Sequence, residues 1–254
     1  MKKLPLLLLL FMTTTLSADL FYQMDITTQT MGITVTTTQR TYIQGDKMRQ
    51  ETSVKLPESM QTPAIPITQI TITRLDKRIL WQLNETTKTY KETPLTTLLP
   101  QTSPMAESLF KYMELDVQNL GQETVNNYKC NKLQLTLTFK KLPRDLPQIF
   151  DKIQLTLWIG QPQGWQEYSS FYDKYRSITG SSNWQTFLGT SVDPSVQRKL
   201  DAATKDIKGI PLKLHTDVYF RNTVLSSVDG EIVQLSTGKL SPSLFELPEG
   251  YKKE

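Results

Sequence analysis

Apolar and polar residues alternate with a period of two through most of this chain, and that pattern restricts what it can fold into. Successive side chains of a β-strand point to opposite faces, so the alternation predicts strands with one buried face. The alternating segments lie at 33–43, 70–73, 79–83, 133–139, 153–159 and 212–220. With shorter segments between them, they predict about ten strands.

Turn-forming pairs separate these segments. Gly45-Asp46, Asp76-Lys77 and Asn126-Asn127 each stand between two alternating runs. Asp229-Gly230 is predicted to be a further hairpin turn, because both residues tolerate a positive φ.

Two segments have a helical pattern instead. One runs from Pro194 to about Lys208, with Asp193 as its cap and Gly209 as its stop. The other runs from Trp165 to Ser177 and carries an aromatic stripe of Trp165, Tyr168, Tyr172 and Tyr175. A third, short helix is predicted from Pro104 to Asp116.

The order of these elements predicts an α+β fold. A long antiparallel sheet with an apolar face must close, stack or be covered. The helices fall between groups of strands, which disfavours a parallel βαβ architecture. We therefore expect a strongly curved antiparallel sheet, an incomplete β-barrel of about ten or eleven strands, covered by two or three helices. Such an arrangement favours an apolar cavity beneath the helices.

The first eighteen residues have the layout of a secretory signal peptide. Lys2 and Lys3 precede nine apolar residues at 4–12, and a small, polar stretch ends at Ala18. Nine residues are too few to span a bilayer as a helix. Cleavage after Ala18 would leave residues 19–254 as a single domain, periplasmic or secreted. Neither a lipid-attachment cysteine near the cleavage point nor a later transmembrane segment is expected.

Composition disfavours most enzymatic chemistry. The chain has 29 Lys and Arg against 25 Asp and Glu, a nearly even charge balance that does not indicate nucleic-acid binding. A single histidine, His215, and a single cysteine, Cys130, provide too few groups for most catalytic or zinc sites. No cofactor is expected. A hydrolase is a further alternative, because glycoside hydrolysis requires only two carboxylates, such as those of Glu167 and Asp173.

Several short motifs resemble the LolA/LolB superfamily of periplasmic lipoprotein carriers. They lie at 42–49, 70–84, 88–90 and 244–251. The segments 128–130 and 209–213 are similar to uncharacterised bacterial relatives of that superfamily. The resemblance implies an incomplete antiparallel barrel of about eleven strands, closed by helices over an apolar cavity.

Together these features predict a soluble, non-enzymatic binding or carrier protein for a lipid, an acylated protein or another apolar ligand. The alternative is an envelope interaction or stress-sensing adaptor, with an envelope protein as partner and a core filled by its own side chains. For the carrier, the expected ligand-binding residues on strands are Trp81, Leu83, Leu135, Leu137, Leu155 and Leu157, and those on helices are Trp165, Tyr172 and Leu200.

The N-terminal layout generates a prediction about export. Sequencing of the exported protein from its N-terminus is expected to begin at Asp19, or at Ala18 if cleavage follows Ser17. A mature protein that still carries Met1 and stays in the membrane would contradict it.

Overall fold

The fold is described from a computed structural model, over residues 18–57, 67–98, 112–139, 150–181 and 194–254. The strands are β1 (Leu20–Thr30), β2 (Ile33–Gln44), β3 (Lys47–Lys55), β4 (Ile67–Arg74), β5 (Ile79–Asn84), β6 (Thr89–Pro94), β7 (Met113–Val125), β8 (Tyr128–Phe139), β9 (Lys152–Gly160), β10 (Ile210–Phe220), β11 (Thr223–Thr237) and β12 (Lys252–Lys253). The helices are α1 (Trp165–Thr179) and α2 (Pro194–Thr204).

All twelve strands belong to one sheet in the order β12-β6-β5-β4-β3-β2-β1-β11-β10-β9-β8-β7. Neighbouring strands are antiparallel except β12, which pairs parallel to β6. In the described residues β7 and β12 stand at opposite edges, so the sheet is open. The predicted α+β fold, a curved antiparallel sheet with helices, is confirmed. None of the described helices is both long and apolar enough to cross a bilayer.

The predicted hairpin turn at Asp229-Gly230 is wrong. Strand β11 continues through both residues, and the turn before it lies at Arg221 and Asn222, which have positive φ angles. Gly230 serves packing instead: a Cβ there would lie 3.0 Å from Cγ of Leu214 on β10. The glycine makes room for a neighbouring leucine.

The helix predictions are confirmed at two places. Helix α1 spans Trp165–Thr179 and ends at Gly180, whose φ is 68°. Helix α2 spans Pro194–Thr204, while its predicted cap, Asp193, lies outside the described residues. Of the third predicted helix, 104–111 also lies outside them, and 113–116 belongs to strand β7.

Both helices pack on one face of the sheet, which we call the inner face. Helix α1 packs against Tyr22 of β1, and α2 packs against β7, where Leu200 joins the buried cluster that also contains Leu157 of β9. Ile26, on the same side of β1 as Tyr22, pairs with Gly230 of β11. The register continues from Gly230 through Leu214 to Leu157, so all of these positions share the inner face.

A second apolar cluster occupies the outer face at the β4–β6 end. Ile70, Ile72, Trp81 and Leu83 are each at most 5% exposed. Tyr90, Leu247 and Tyr251 pack against them. The last two come from the C-terminal segment, which therefore covers this part of the outer face.

Arg74 fastens the C-terminal segment to the sheet. Its side chain is 5% exposed and forms ion pairs with Asp76 at 2.7 Å and with Glu246 at 2.6 Å. Its Nη1 also donates to the carbonyl oxygen of Phe245, at 3.2 Å. The guanidinium holds the pKa of the Asp76 carboxyl below its usual value. Arg74 is therefore buried in this contact and not solvated with the turn that follows it.

Phe245 is the buried anchor of this C-terminal segment, at 0% exposed. Phe245→Ala is expected to lower the free energy of unfolding by about 3–5 kcal/mol, because truncation leaves a cavity. Denaturant unfolding measures the loss. Leu244→Ala removes the half-buried neighbouring side chain and should cost clearly less; equal losses would show that the segment has no specific anchor.

Candidate functional site

Apolar side chains from β7, β8, β9 and β10 form a continuous patch on the inner face, which we call the leucine surface. Its members are Leu115, Val117, Leu133, Leu135, Leu137, Leu155, Leu157, Ile159 and Leu214. Antiparallel pairing aligns them in rows across the strands. The central pair, Leu133 and Leu157, is 1% exposed at each residue.

Helix α2 lies over the leucine surface and contributes Leu200, which is 1% exposed. Of the described side chains of this helix, at 197–204, Leu200 alone is buried. Arg198, Lys199 and Asp201 are exposed to solvent. Among the side chains described for this helix, Leu200 is thus the one that contacts the broad apolar surface from a buried position.

Helix α1 covers a different part of the inner face with aromatic side chains. Together with Tyr22 of β1, its residues Tyr168, Tyr172 and Tyr175 form what we call the tyrosine cluster. The ring centroids of Tyr22 and Tyr168 are 6.4 Å apart, and those of Tyr168 and Tyr172 are 4.5 Å apart. Phe171, which is 0% exposed, packs edge-on to Tyr172. These rings fill the space between α1 and the sheet.

The hydroxyl groups of the tyrosine cluster are held neutral. Burial raises the pKa of Tyr22, Tyr168, Tyr172 and Tyr175, since a phenolate loses its hydration there. The Tyr172 hydroxyl donates to Sδ of Met48 at 3.7 Å. The cluster offers polar but uncharged groups at one side of the inner face.

Helix α1 is tied to the turn between β2 and β3. The backbone N–H of Gly45 donates to the Glu167 carboxylate at 2.7 Å, and Lys174 pairs with Asp46 at 2.5 Å. Asp173 pairs instead with Arg176 of its own helix. The two carboxylates considered for a hydrolase therefore have separate partners.

The structure divides the sequence-predicted ligand residues into three groups. Leu135, Leu137, Leu155, Leu157 and Leu200 meet at the leucine surface. Tyr172 belongs to the tyrosine cluster, and Trp165 packs against the same core. The third group, Trp81 and Leu83, lies in the outer-face cluster.

Trp81 and Leu83 therefore lie on the opposite face of the sheet from the other expected ligand-binding residues. Leu80 pairs with Thr73, and Thr73 pairs with Met48 of the inner core. Trp81 follows Leu80 and so points to the outer face. Its Nε1 donates to Glu92 at 2.9 Å.

Sequence reasoning missed several inner-face residues. Tyr22 is a central member of the tyrosine cluster, and Leu115 of β7 belongs to the leucine surface. The signal for Tyr22 was present, because Leu20, Tyr22, Met24 and Ile26 alternate directly after the predicted cleavage site. Leu115 lay in a segment predicted to be helical.

His215 bridges two strands on the outer face. Its Nδ1 lies 2.7 Å from Asp229, and its Nε2 lies 3.1 Å from Asp217. Partial burial lowers the pKa of His215, but its hydrogen bonds to the Asp229 and Asp217 carboxylates outweigh this effect and the net shift of the pKa is upward. Both ring nitrogens are engaged, so the imidazole has no free nitrogen for a substrate in this arrangement.

Cys130 is a buried potential nucleophile, and the outer face carries a shallow depression. Cys130 is buried, and burial raises the pKa of its thiol. A depression of about 180 Å³ is lined by Thr38, Arg40, Glu51 and Ser53. Across the described segments, no group of three His, Cys, Asp or Glu side chains is placed to hold a metal ion.

A family model described as a domain of unknown function, DUF4412, matches residues 22–147. No curated protein matches the chain. Similar solved structures include a LolA superfamily protein from Nitrosomonas europaea, with 10% identity, a TM-score of 0.32, and 91% of this chain and 90% of that chain covered. Lipoprotein LppX from Mycobacterium tuberculosis has 10% identity, a TM-score of 0.34 and 85% of each chain covered. LprF from Mycobacterium bovis has 8% identity and a TM-score of 0.31, with 90% of this chain and 89% of that chain covered.

The raised pKa values of the tyrosine cluster predict a loss of stability at high pH. The stability they contribute is fully present below the ordinary tyrosine pKa of about 10 and is lost as the pH rises through the raised folded-state values. Tyr172→Phe should flatten that loss while changing stability at neutral pH little. Urea unfolding from pH 7 upward measures it; an unchanged slope above pH 10 would contradict the assignment.

Proposed function

We propose that this protein is an exported, non-enzymatic carrier that binds the hydrocarbon chain of a lipid or an acylated protein on its leucine surface. Residues 1–18 direct export to the periplasm and are then removed. The observation that supports this proposal most directly is a broad apolar surface on the inner face, against which Leu200 is the buried side chain among those described for helix α2, at 197–204.

The dimensions of the leucine surface suit a hydrocarbon chain. Neighbouring strands lie about 4.8 Å apart, so four strands span about 14 Å. The run from Leu133 to Leu137 adds about 13 Å along the strand. A chain that removes a few hundred Å² of apolar area from water there would gain roughly several kcal/mol.

Binding requires helix α2 to shift, because Leu200 rests on the surface that the chain would occupy. The exposed charges of α2, such as Arg198 and Asp201, keep the rest of the helix soluble when it moves. Once displaced, Leu200 would contact the bound chain from above. The affinity then reflects both the chain's contacts and the cost of opening.

The adaptor hypothesis has support of its own in the packing. Leu115, Leu133, Leu135 and Leu157 are each at most 6% exposed, as expected of a core filled by its own side chains. The two hypotheses differ in what Leu137 and Leu155 do. These half-buried residues bind cargo in the carrier and only flank the core in the adaptor.

Titration with a fluorescent fatty acid tests the proposal. The wild-type protein should bind the probe, and Leu137→Asn and Leu155→Asn should weaken binding about tenfold or more, because each places a polar amide against the chain. Gln134→Asn and Gln154→Asn change the opposite face of the same strands and are the matched controls.

Circular dichroism should first confirm that all four variants are folded. If the wild-type protein binds no probe, the carrier proposal fails and the adaptor hypothesis replaces it. Equal weakening by the control variants would show that the leucine surface is not the site.

A further inference from the structure

Large apolar side chains are exposed together at one end of the sheet. Met31, in the turn between β1 and β2, is 80% exposed, and Ile33 beside it is 38% exposed. Val224 at the start of β11 is 46% exposed. The two strand ends are adjacent, because the backbone N–H of Met31 donates to the carbonyl of Leu225 at 3.4 Å. We call Met31, Ile33 and Val224 the apolar tip.

The turn at Met31 does not follow the usual preference for its backbone geometry. Met31 has a φ of 49° and Gly32 a φ of 80°, which corresponds to a type I′ hairpin turn, where Asn is favoured at the first position. The turns at 126–127 and 221–222 have the same signs of φ and contain Asn126, Asn127 and Asn222. Met31 exposes an apolar side chain where a polar residue would be less strained.

Basic side chains stand beside the apolar tip. The Arg221 guanidinium lies 5.0 Å from the ring centroid of Phe220, and Nζ of Lys152 lies 3.8 Å from that of Tyr219. Carboxylates are present as well: Asp151 accepts a hydrogen bond from the backbone N–H of Arg221, and Asp217 accepts one from the Tyr219 hydroxyl at 3.1 Å. Arg221 and Lys152, each beside an aromatic ring, therefore lie on the β10 side of the apolar tip.

We propose that the apolar tip inserts into the surface of a membrane that contains anionic lipids. A few apolar side chains on a narrow hairpin bury too little area for a stable protein interface. The same side chains suffice for a membrane surface when basic groups beside them attract anionic headgroups. Docking needs no cargo, so this proposal stands apart from ligand binding at the leucine surface.

Vesicle flotation tests the proposal on the purified protein in the form that the cell exports. Wild-type protein should float with vesicles of phosphatidylethanolamine and phosphatidylglycerol, and bind more weakly to phosphatidylcholine vesicles and at high salt. Met31→Asn combined with Val224→Thr should lower the partition coefficient about tenfold. The asparagine suits the turn, so the variant should be folded.

Val233→Thr is the matched control, because Val233 is also exposed, at 55%, but lies away from the tip on β11. It should bind vesicles as the wild type does. The proposal is overturned if the wild type does not float, or if the tip variant and Val233→Thr bind equally. Dimers that dissociate in the tip variant, without vesicle binding, would show that the tip joins two copies instead.

Discussion

The covering of the inner face by the aromatic side of helix α1 is the contact on which the sheet depends. A sheet of twelve strands would expose a large apolar area if nothing lay against it. Phe171 and the tyrosine cluster fill the region between α1 and β1, and Met48 extends this core to β3. Glu167 and Lys174 fix the helix to the β2–β3 turn. The rest of the inner face is then covered separately, and much more lightly, by α2.

This difference in covering is what makes the leucine surface a candidate binding site. Several interlocked rings hold α1, whereas one buried leucine among its described side chains holds α2. The leucine surface also extends toward the apolar tip. Its outermost row includes Leu137, which pairs with Ile153. Ile153 is next to Lys152, close to the apolar tip. A membrane-docked protein would present that row toward the lipid.

Sequence patterns predicted strands β2, β4, β5, β8, β9 and β10 and both helices from local periodicity, whereas the start of β7 was predicted to be helical. They could not assign faces, since the side of β5 that points inward is set by pairing from Leu80 through Thr73 to Met48. Trp81 and Leu83 lie on the opposite face from the leucine surface for that reason. The turn at Asp229-Gly230 was predicted wrongly for a similar reason. Gly230 leaves room for the side chain of Leu214 on the neighbouring strand, which the local sequence does not reveal. The leucines of β8 and β9 do share one face, because their pairing partners carry the same alternating pattern.

In the proposed carrier, the leucine surface holds an apolar chain in the cell. Native mass spectrometry of gently extracted protein measures this directly. We expect a wild-type population that is heavier than the polypeptide by the mass of a lipid, with the excess mass lost in Leu155→Asn and kept in Gln154→Asn. A wild-type protein found only at the polypeptide mass, or an excess that survives Leu155→Asn unchanged, would contradict the carrier proposal.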